Sequence, residues 1–420
     1  MAGGISAGEP DIGFGWWPQW RGPNRDGLSR ETGLIDDWKN GPPKLLWMAS
    51  GLGSGWTNVS IVGDRIYTTG DLPDGQAVIA LRAADGTIAW SRAVTKGVPN
   101  HEYPGARSTP SFDEGRLYVV TSDEKQGGIV CLQATDGAVL WQKGFLTEWG
   151  GRMMSQWGFA ESPLVDGDWV LCTPGARDAV IVALDKTTGQ EVWRTALEDK
   201  DLDDGAGYSS IVVSHGAGVK QYVQLVGRGV IGVRASDGKL LWTYTPVANK
   251  TANVPTCIVK DDYVFCSTGY NQGSALLKLT AAGEGVNAEE VYFLNGRTLQ
   301  NQHGGIVLVD DHLYLGHGND RGYPTCVELL TGKIAWGGRT RGPGRGEASL
   351  IYADGKLLFR FSDGKVAAIE ATPKSYNLLG VFEPEYQEGK SWAHPVIAGG
   401  RLYLREQDKL MCYDLRKSTQ

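Results

Sequence analysis

No stretch of this sequence approaches the ~20 consecutive apolar residues that a helix needs to cross a bilayer. Basic residues are in the minority, 41 against 48 acidic. The formal net charge of −7 disfavours nucleic acid or an anionic membrane surface as the main partner. The six cysteines include no Cys-x-x-Cys, no Cys-x-x-Cys-His and no adjacent pair, which removes the common zinc, haem and redox-motif readings. The glycine-rich stretches 51–55 and 342–346 lack the strand–loop–helix setting of a phosphate loop and read as turns. Met1–Pro10 has neither the basic nor the apolar region of a secretory signal. Two readings of the compartment stay open: the cytoplasm, or a periplasmic or otherwise exported protein whose signal is not part of this sequence.

What the sequence has in abundance is glycine, 59 residues, and tryptophan, 15 residues. Together with β-branched residues they favour many short strands joined by tight turns. The tryptophans are periodic. Trp47, Trp90, Trp141, Trp193, Trp242 and Trp336 each follow a turn and an apolar strand, and Tyr292 fills the gap before Trp336. The spacing suits one four-stranded propeller blade per repeat. In the first full repeat, strands are expected over 59–62, 65–69, 77–82 and 87–94, with turns at Gly63-Asp64 and Asp85-Gly86. The second of these turns recurs at Asp136-Gly137, Thr188-Gly189, Asp237-Gly238 and Thr331-Gly332.

First strands begin near Thr57, Ser108, Glu161, Ser209, Pro255, Gly304, Ala348 and Ala393, which makes eight blades. The last set has only three strands, and the segment 43–49 supplies the fourth. The fold class is therefore all-β: an eight-bladed β-propeller of four-stranded antiparallel blades, its ring closed by N- and C-terminal strands in one blade, which leaves no exposed edge. The expected organisation is an N-terminal extension over 1–42, with 1–15 poorly ordered and 16–38 lying across the outside or one face of the ring. A single propeller over 43–415 and a tail over 416–420 follow. Cys131, Cys326 and Cys412 share the place of Ala80, while Cys172 and Cys266 share that of Thr68. They are thus expected as buried, unpaired core residues.

The unit Ser162-Pro163-Leu164-Val165-Asp166-Gly167-Asp168, followed by Ala183-Leu184-Asp185-Lys186-Thr187-Thr188-Gly189 and Trp193, resembles a quinoprotein-type blade, and the likeness runs from about Pro43 to Leu415. The opening Trp17-Pro18-Gln19-Trp20-Arg21-Gly22-Pro23, with Asp26-Gly27 and Ser29, resembles the start of bacterial pyrroloquinoline-quinone-binding-like propeller proteins. The outer-membrane assembly lipoprotein BamB shares the blade type and the eightfold count. The resemblance implies the fold and is weak for function, because one fold hosts many activities. Its dehydrogenase members typically use an adjacent-cysteine disulfide, a tryptophan platform and a calcium or lanthanide held by carboxylates and an asparagine. This chain has no Cys-Cys pair and is shorter than those enzymes, so no quinone or other cofactor is assigned.

In a propeller the first strand of each blade runs along the central channel, and its opening residues face one mouth. At the place of Trp56 stand Arg107, Ala160, Tyr208, Val254, His303, Glu347 and Trp392. Two residues on, at Asn58, stand Thr109, Ser162, Ser210, Thr256, Gly305, Ser349 and His394, and between the two rows lies Glu161. Alternation puts the first two rows on one side. The neighbouring loops add His101, Tyr103, Arg152, Gln156, Trp157, Asn301, Gln302 and Arg345. The expected ligand-binding set is Trp56, Asn58, Arg107, Glu161, Tyr208, His303, Glu347, Trp392 and His394. Glu161, His303, Glu347 and His394 are its candidates for acid–base work. Arg107 is expected to pair with Glu161, and His303 or His394 with Glu347. Two histidines and a carboxylate suit zinc or iron, but their separation cannot be read from the sequence and no metal site is assigned.

Three functions remain open. The first is a small polar, carbohydrate-like ligand or substrate in the funnel, without quinone chemistry, for which aromatic platforms and charged groups are the requirement. The second is a BamB-like scaffold in the cell envelope that holds a polypeptide partner. The third is a quinone-dependent oxidoreductase. Whether the chain is an enzyme is not decided by the sequence.

Overall fold

In a computed structural model the chain is described over residues 14–417, apart from 37, 40, 101, 124–125, 198–204 and 284. The expectations for 1–13, for 418–420 and for His101 fall outside the described residues. Eight four-stranded antiparallel sheets stand in a ring. Counted from their innermost strands, blades 1 to 8 begin at Ser60–Val62, Ser111–Asp113, Leu164–Asp166, Val212–Ser214, Ile258–Lys260, Val307–Val309, Ala348–Ala353 and Val396–Ala398. Most inner strands start about three residues later than the sequence suggests. The missing residues run extended but bond sideways: Trp56 and Thr57 donate their amides to Ala106, and Tyr208 donates to Asn253, each in the segment leading into the next blade.

Blade 8 closes the ring as the strand count requires. Its outer strand is Lys44–Ala49, paired antiparallel to Lys409–Asp414 with Lys44 opposite Asp414 and Ala49 opposite Leu410. Five of the six repeated tryptophans pin one blade to the next, while Trp242 lies on Gly232 and bonds Gln221 of its own blade. The Trp141 ring lies against Gly189 in the turn before the outer strand of blade 3, where a Cβ would meet the ring at 2.6 Å. Gly189 also holds φ at 71°, so this turn excludes side chains for two independent reasons. Trp90 covers Gly137 and Trp193 covers Gly238 in the same way. Indole N–H groups reinforce the pins: Trp90 donates to Ala134 and Trp141 to Lys186, both at 3.2 Å. All six cysteines are buried and unbridged.

The N-terminal extension departs from the expectation of a surface strap. Trp16–Trp17 adds a fifth strand to the axial edge of blade 1, and Pro18 accepts the Phe112 amide of blade 2. The chain then turns inside the channel. Arg21 donates to the Ile306 carbonyl beside blade 6, and Arg25 donates to Ser162 and Pro163 beside blade 3, at 2.7 and 3.1 Å. Leu28–Ser29 leaves by pairing in parallel with the inner strand of blade 7. Five blades thus grip one segment, and both arginines are almost fully buried. The reason is open backbone: the axial edge of a propeller presents unpaired carbonyls and amides, which a polar turn carrying two guanidinium forks satisfies.

Candidate functional site

Above this turn lies a cavity of about 410 Å³ on the ring axis. All eight residues at the Trp56 place line it: Trp56, Arg107, Ala160, Tyr208, Val254, His303, Glu347 and Trp392, one per blade. From the next inward row come Ser162, Ser210, Thr256, Gly305 and His394. Trp20 and Arg21 of the N-terminal turn form its floor, with Trp20 packed 4.6 Å from the His394 ring.

Two of the expected residues lie elsewhere. Glu161 occupies the alternate position and points into blade 3, where its carboxylate takes the Thr173 amide at 2.6 Å and the Thr173 hydroxyl at 2.9 Å. Burial pushes its pKa up to about 8, against those bonds and the Arg25 charge. Asn58 is buried between blades 1 and 2, accepting the Thr109 hydroxyl. The expected Arg107–Glu161 pair is therefore not formed. Arg107 donates instead to the carbonyls of Tyr103 and Gly105, at 2.5 and 3.0 Å.

The histidines are neutral. Burial lowers His303 to about 4, overcoming the pull of Glu347. Its Nδ1 stands 3.7 Å from the Glu347 carboxylate, too far for a hydrogen bond. His394 falls to about 3 through burial, with Arg21 adding to the effect, and its Nε2 lies 3.3 Å from the His303 carbonyl rather than near Glu347. Glu347 behaves differently. Burial works against its anion, but His303, the Asp320 carboxyl and the Ser362 hydroxyl together hold the pKa at about 2. Trp392 Nε1 adds a bond to Glu347 at 3.2 Å, and Lys390 Nζ stands 3.6 Å away. The hydrogen bond to Glu347 raises Asp320 in turn, with burial adding to it.

Asp320, Tyr270, Glu102 and Lys390 line the cavity without having been singled out from the sequence. Tyr270 and Asp320 sit in the hairpins between second and third strands of blades 5 and 6. Those hairpins open on the same face as the segments leading into first strands, because each blade's strands alternate in direction. A tally of both loop sets would have found them. Of the loop residues that were anticipated, Tyr103, Trp157 and Gln302 line the cavity, and Arg152, Gln156, Asn301 and Arg345 do not.

Comparison with known proteins follows the fold. The family described as outer membrane protein assembly factor BamB matches residues 37–144 and, overlapping, 78–338. The chain belongs to this family. Among solved structures, BamB from Moraxella catarrhalis is similar over 89% of this chain and 100% of its own, at 13% identity and a TM-score of 0.62. The quinohemoprotein alcohol dehydrogenase ADHIIG from Pseudomonas putida HK5 matches 97% of this chain and 81% of its own, at 14% identity and a TM-score of 0.63. A europium-containing methanol dehydrogenase covers 93% of this chain and 89% of its own, at 13% identity and a TM-score of 0.54. At such identities the likeness carries the fold alone. No curated protein matches the chain significantly.

The BamB family's quinoprotein-type blades raise the question of a quinone, and the residues do not fit one. The cysteines are core residues of the blades, not a vicinal pair beside the cavity. Trp392 is stacked on His303 at 4.4 Å and flanked by Trp56 at 4.7 Å, which leaves room for a small cation over its ring but not for a flat tricyclic quinone. Glu347 already accepts the Ser362 hydroxyl and the Trp392 indole N–H, and among the described residues no three His, Cys, Asp or Glu side chains group so as to hold a metal.

Proposed function

We propose that this BamB-family propeller binds a small polar ligand of carbohydrate type in its axial cavity, without quinone chemistry. The observation that carries the reading is the convergence of eight repeat-equivalent positions, spread over the whole ring, on one cavity within the size range of ligand sites. Trp56, Tyr103, Trp157 and Tyr270 offer aromatic surface, while Glu347, Asp320 and Lys390 offer directed polar groups, the mixture that recognises a ring with one apolar face and several hydroxyls.

The second reading is a docking scaffold in the cell envelope, as the family description suggests. It calls for a gathered apolar surface. The exposed large apolar residues are instead spread around the rim: Met48, Ile88, Val139, Val192, Val291 and Val381 lie on the outer strands of six different blades, Leu330 lies in blade 6, and only Leu140 and Leu146 fall close in sequence to another, Val139. That distribution favours the cavity. An exported location is part of this proposal and is checked by cell fractionation.

The test is a titration of mono- and disaccharides followed by tryptophan fluorescence and calorimetry. Trp56→Ala is expected to weaken binding at least about tenfold, the worth of a lost stacking contact, with the melting temperature nearly unchanged. Equal affinity in the variant, or binding that survives blocking of the cavity mouth, would overturn the reading.

A further inference from the structure

The charges around the cavity select among polar ligands. Glu347 is almost fully buried yet ionised, and one cation reaches it from the open side. Lys390 places its ammonium 3.6 Å from the Glu347 carboxylate and 5.8 Å from the centre of the Trp392 ring. The lysine side chain stays 44% exposed while that of Glu347 is 4% exposed, so the cation enters from solvent on a flexible stem. Asp320 is bonded to Glu347, and Glu102 lines the same space. The two arginines nearby are already committed to backbone: Arg107 to Tyr103 and Gly105, Arg21 to Arg25, Asp26 and Ile306. Lys390 is thus the cation held against Glu347, beside an indole face.

We propose that the cavity's ligand carries a protonated amine, which takes the place beside Glu347 and over Trp392 now held by the ammonium of Lys390. The inference rests on the cavity being a ligand site. Its physical basis is that a desolvated carboxylate and an aromatic face attract a cation far more strongly than either does in water. Lys390 is a tethered occupant whose release restores side-chain freedom, so a diffusible amine that also contacts Trp56 and Tyr103 displaces it. A neutral ring would leave Glu347 with its weak internal partner. An anion at that position would meet the Glu347 carboxylate directly.

Four sugars of similar shape separate these cases: glucosamine, N-acetylglucosamine, glucose and glucuronate, with benzylamine as an amine without a sugar ring. Calorimetry is run on the full chain below the pKa of the amines. Glucosamine is expected to bind at least about tenfold more tightly than N-acetylglucosamine, the scale of one ion pair with cation–π contact. Lys390→Ala is expected to tighten glucosamine severalfold by removing the internal competitor. Glu347→Gln should abolish the preference for the amine, so that glucosamine and glucose bind that variant within about threefold of each other, and a thermal melt confirms that the variant is folded. Neutral sugars binding as well as glucosamine, or glucuronate binding better, would overturn the amine proposal and leave the carbohydrate reading standing. Benzylamine binding without any sugar would do the reverse. Weaker glucosamine binding in Lys390→Ala, or no binding of either amine, also overturns it.

Discussion

A carboxyl group sealed from water takes the neutral form when it is cheaper than the charged one, and Glu161 is such a group. Its pKa rises from the ordinary 4.5 to about 8 on folding, with burial as the leading cause. The folded state then binds the extra proton between those values. Stability contributed by Glu161 is full below about pH 4.5, declines as pH rises toward 8, and is level beyond. His394 acts in the opposite limb: it falls from 6.5 to about 3, so its contribution is lost as pH drops through that window. Melting curves across pH should therefore show Glu161→Gln flattening the alkaline decline, worth a few kcal/mol near pH 8, and His394→Gln flattening the acid decline. Unchanged pH profiles would refute these assignments. The same residues show how far the sequence could be read. Strand alternation correctly groups the Trp56 place with His394, two residues on from Trp392 in its own blade. It also places Glu161, one residue out of phase, behind the cavity wall. Charge drew that residue into the expected site, but parity decides where a side chain points. Asn58 has the right parity and is lost for another reason, because it sits where adjoining blades come close enough to bond.

At the scale of the element, two kinds of segment hold the ring, and only one leaves a periodic trace. The tryptophan-on-glycine pins recur in most blades, so a spacing of tryptophans and Asp-Gly or Thr-Gly steps revealed the repeat, and the eight first strands then counted the blades. Gly189→Ala should destabilise the chain by about 2–3 kcal/mol, through both the unfavourable φ and the clash with Trp141. Trp141→Ala in the same chain should recover part of that loss, since it removes the clash and not the φ. Denaturant titration of the two single variants and the double variant measures the coupling. The N-terminal turn, by contrast, touches five blades in five different ways, and nothing in the repeat aligns with it. Its aromatic and turn-forming composition marked it as ordered, but not as an occupant of the channel. Arg25 identifies it best: a guanidinium bonded to two carbonyls of the segment leading into blade 3, with its charge acting on Glu161.

At the scale of the whole molecule, folding must bring residues 44–49 to 410–414. Closing so long a loop adds entropy slowly with length but postpones the final blade until the others exist. Arg360 and Glu406 join blade 7 to the closing blade 8, paired at 2.5 Å and both fully buried. The two ends of the described chain also meet, since Phe14 packs under the Arg401 guanidinium and Arg416 lies against Gly400. A circular permutant that links 417 to 14 and opens the chain between Lys96 and Gly97 keeps every strand pair. It should melt within about 5 °C of the parent. Removing 14–49 opens both blade 8 and the axial edge, and should lower the melting temperature by about 10 °C or more. Similar melting of the truncated and full chains would show that closure is dispensable. The turn across the channel has one more consequence. A ring pierced from end to end could thread a polymer and grip it anywhere along its length. With Trp20 and Arg21 lining its inner end, the chamber is a cup and not a through-channel. A ligand bound in the chamber would then enter and leave by one mouth, the other being filled by the chain's own N-terminal turn.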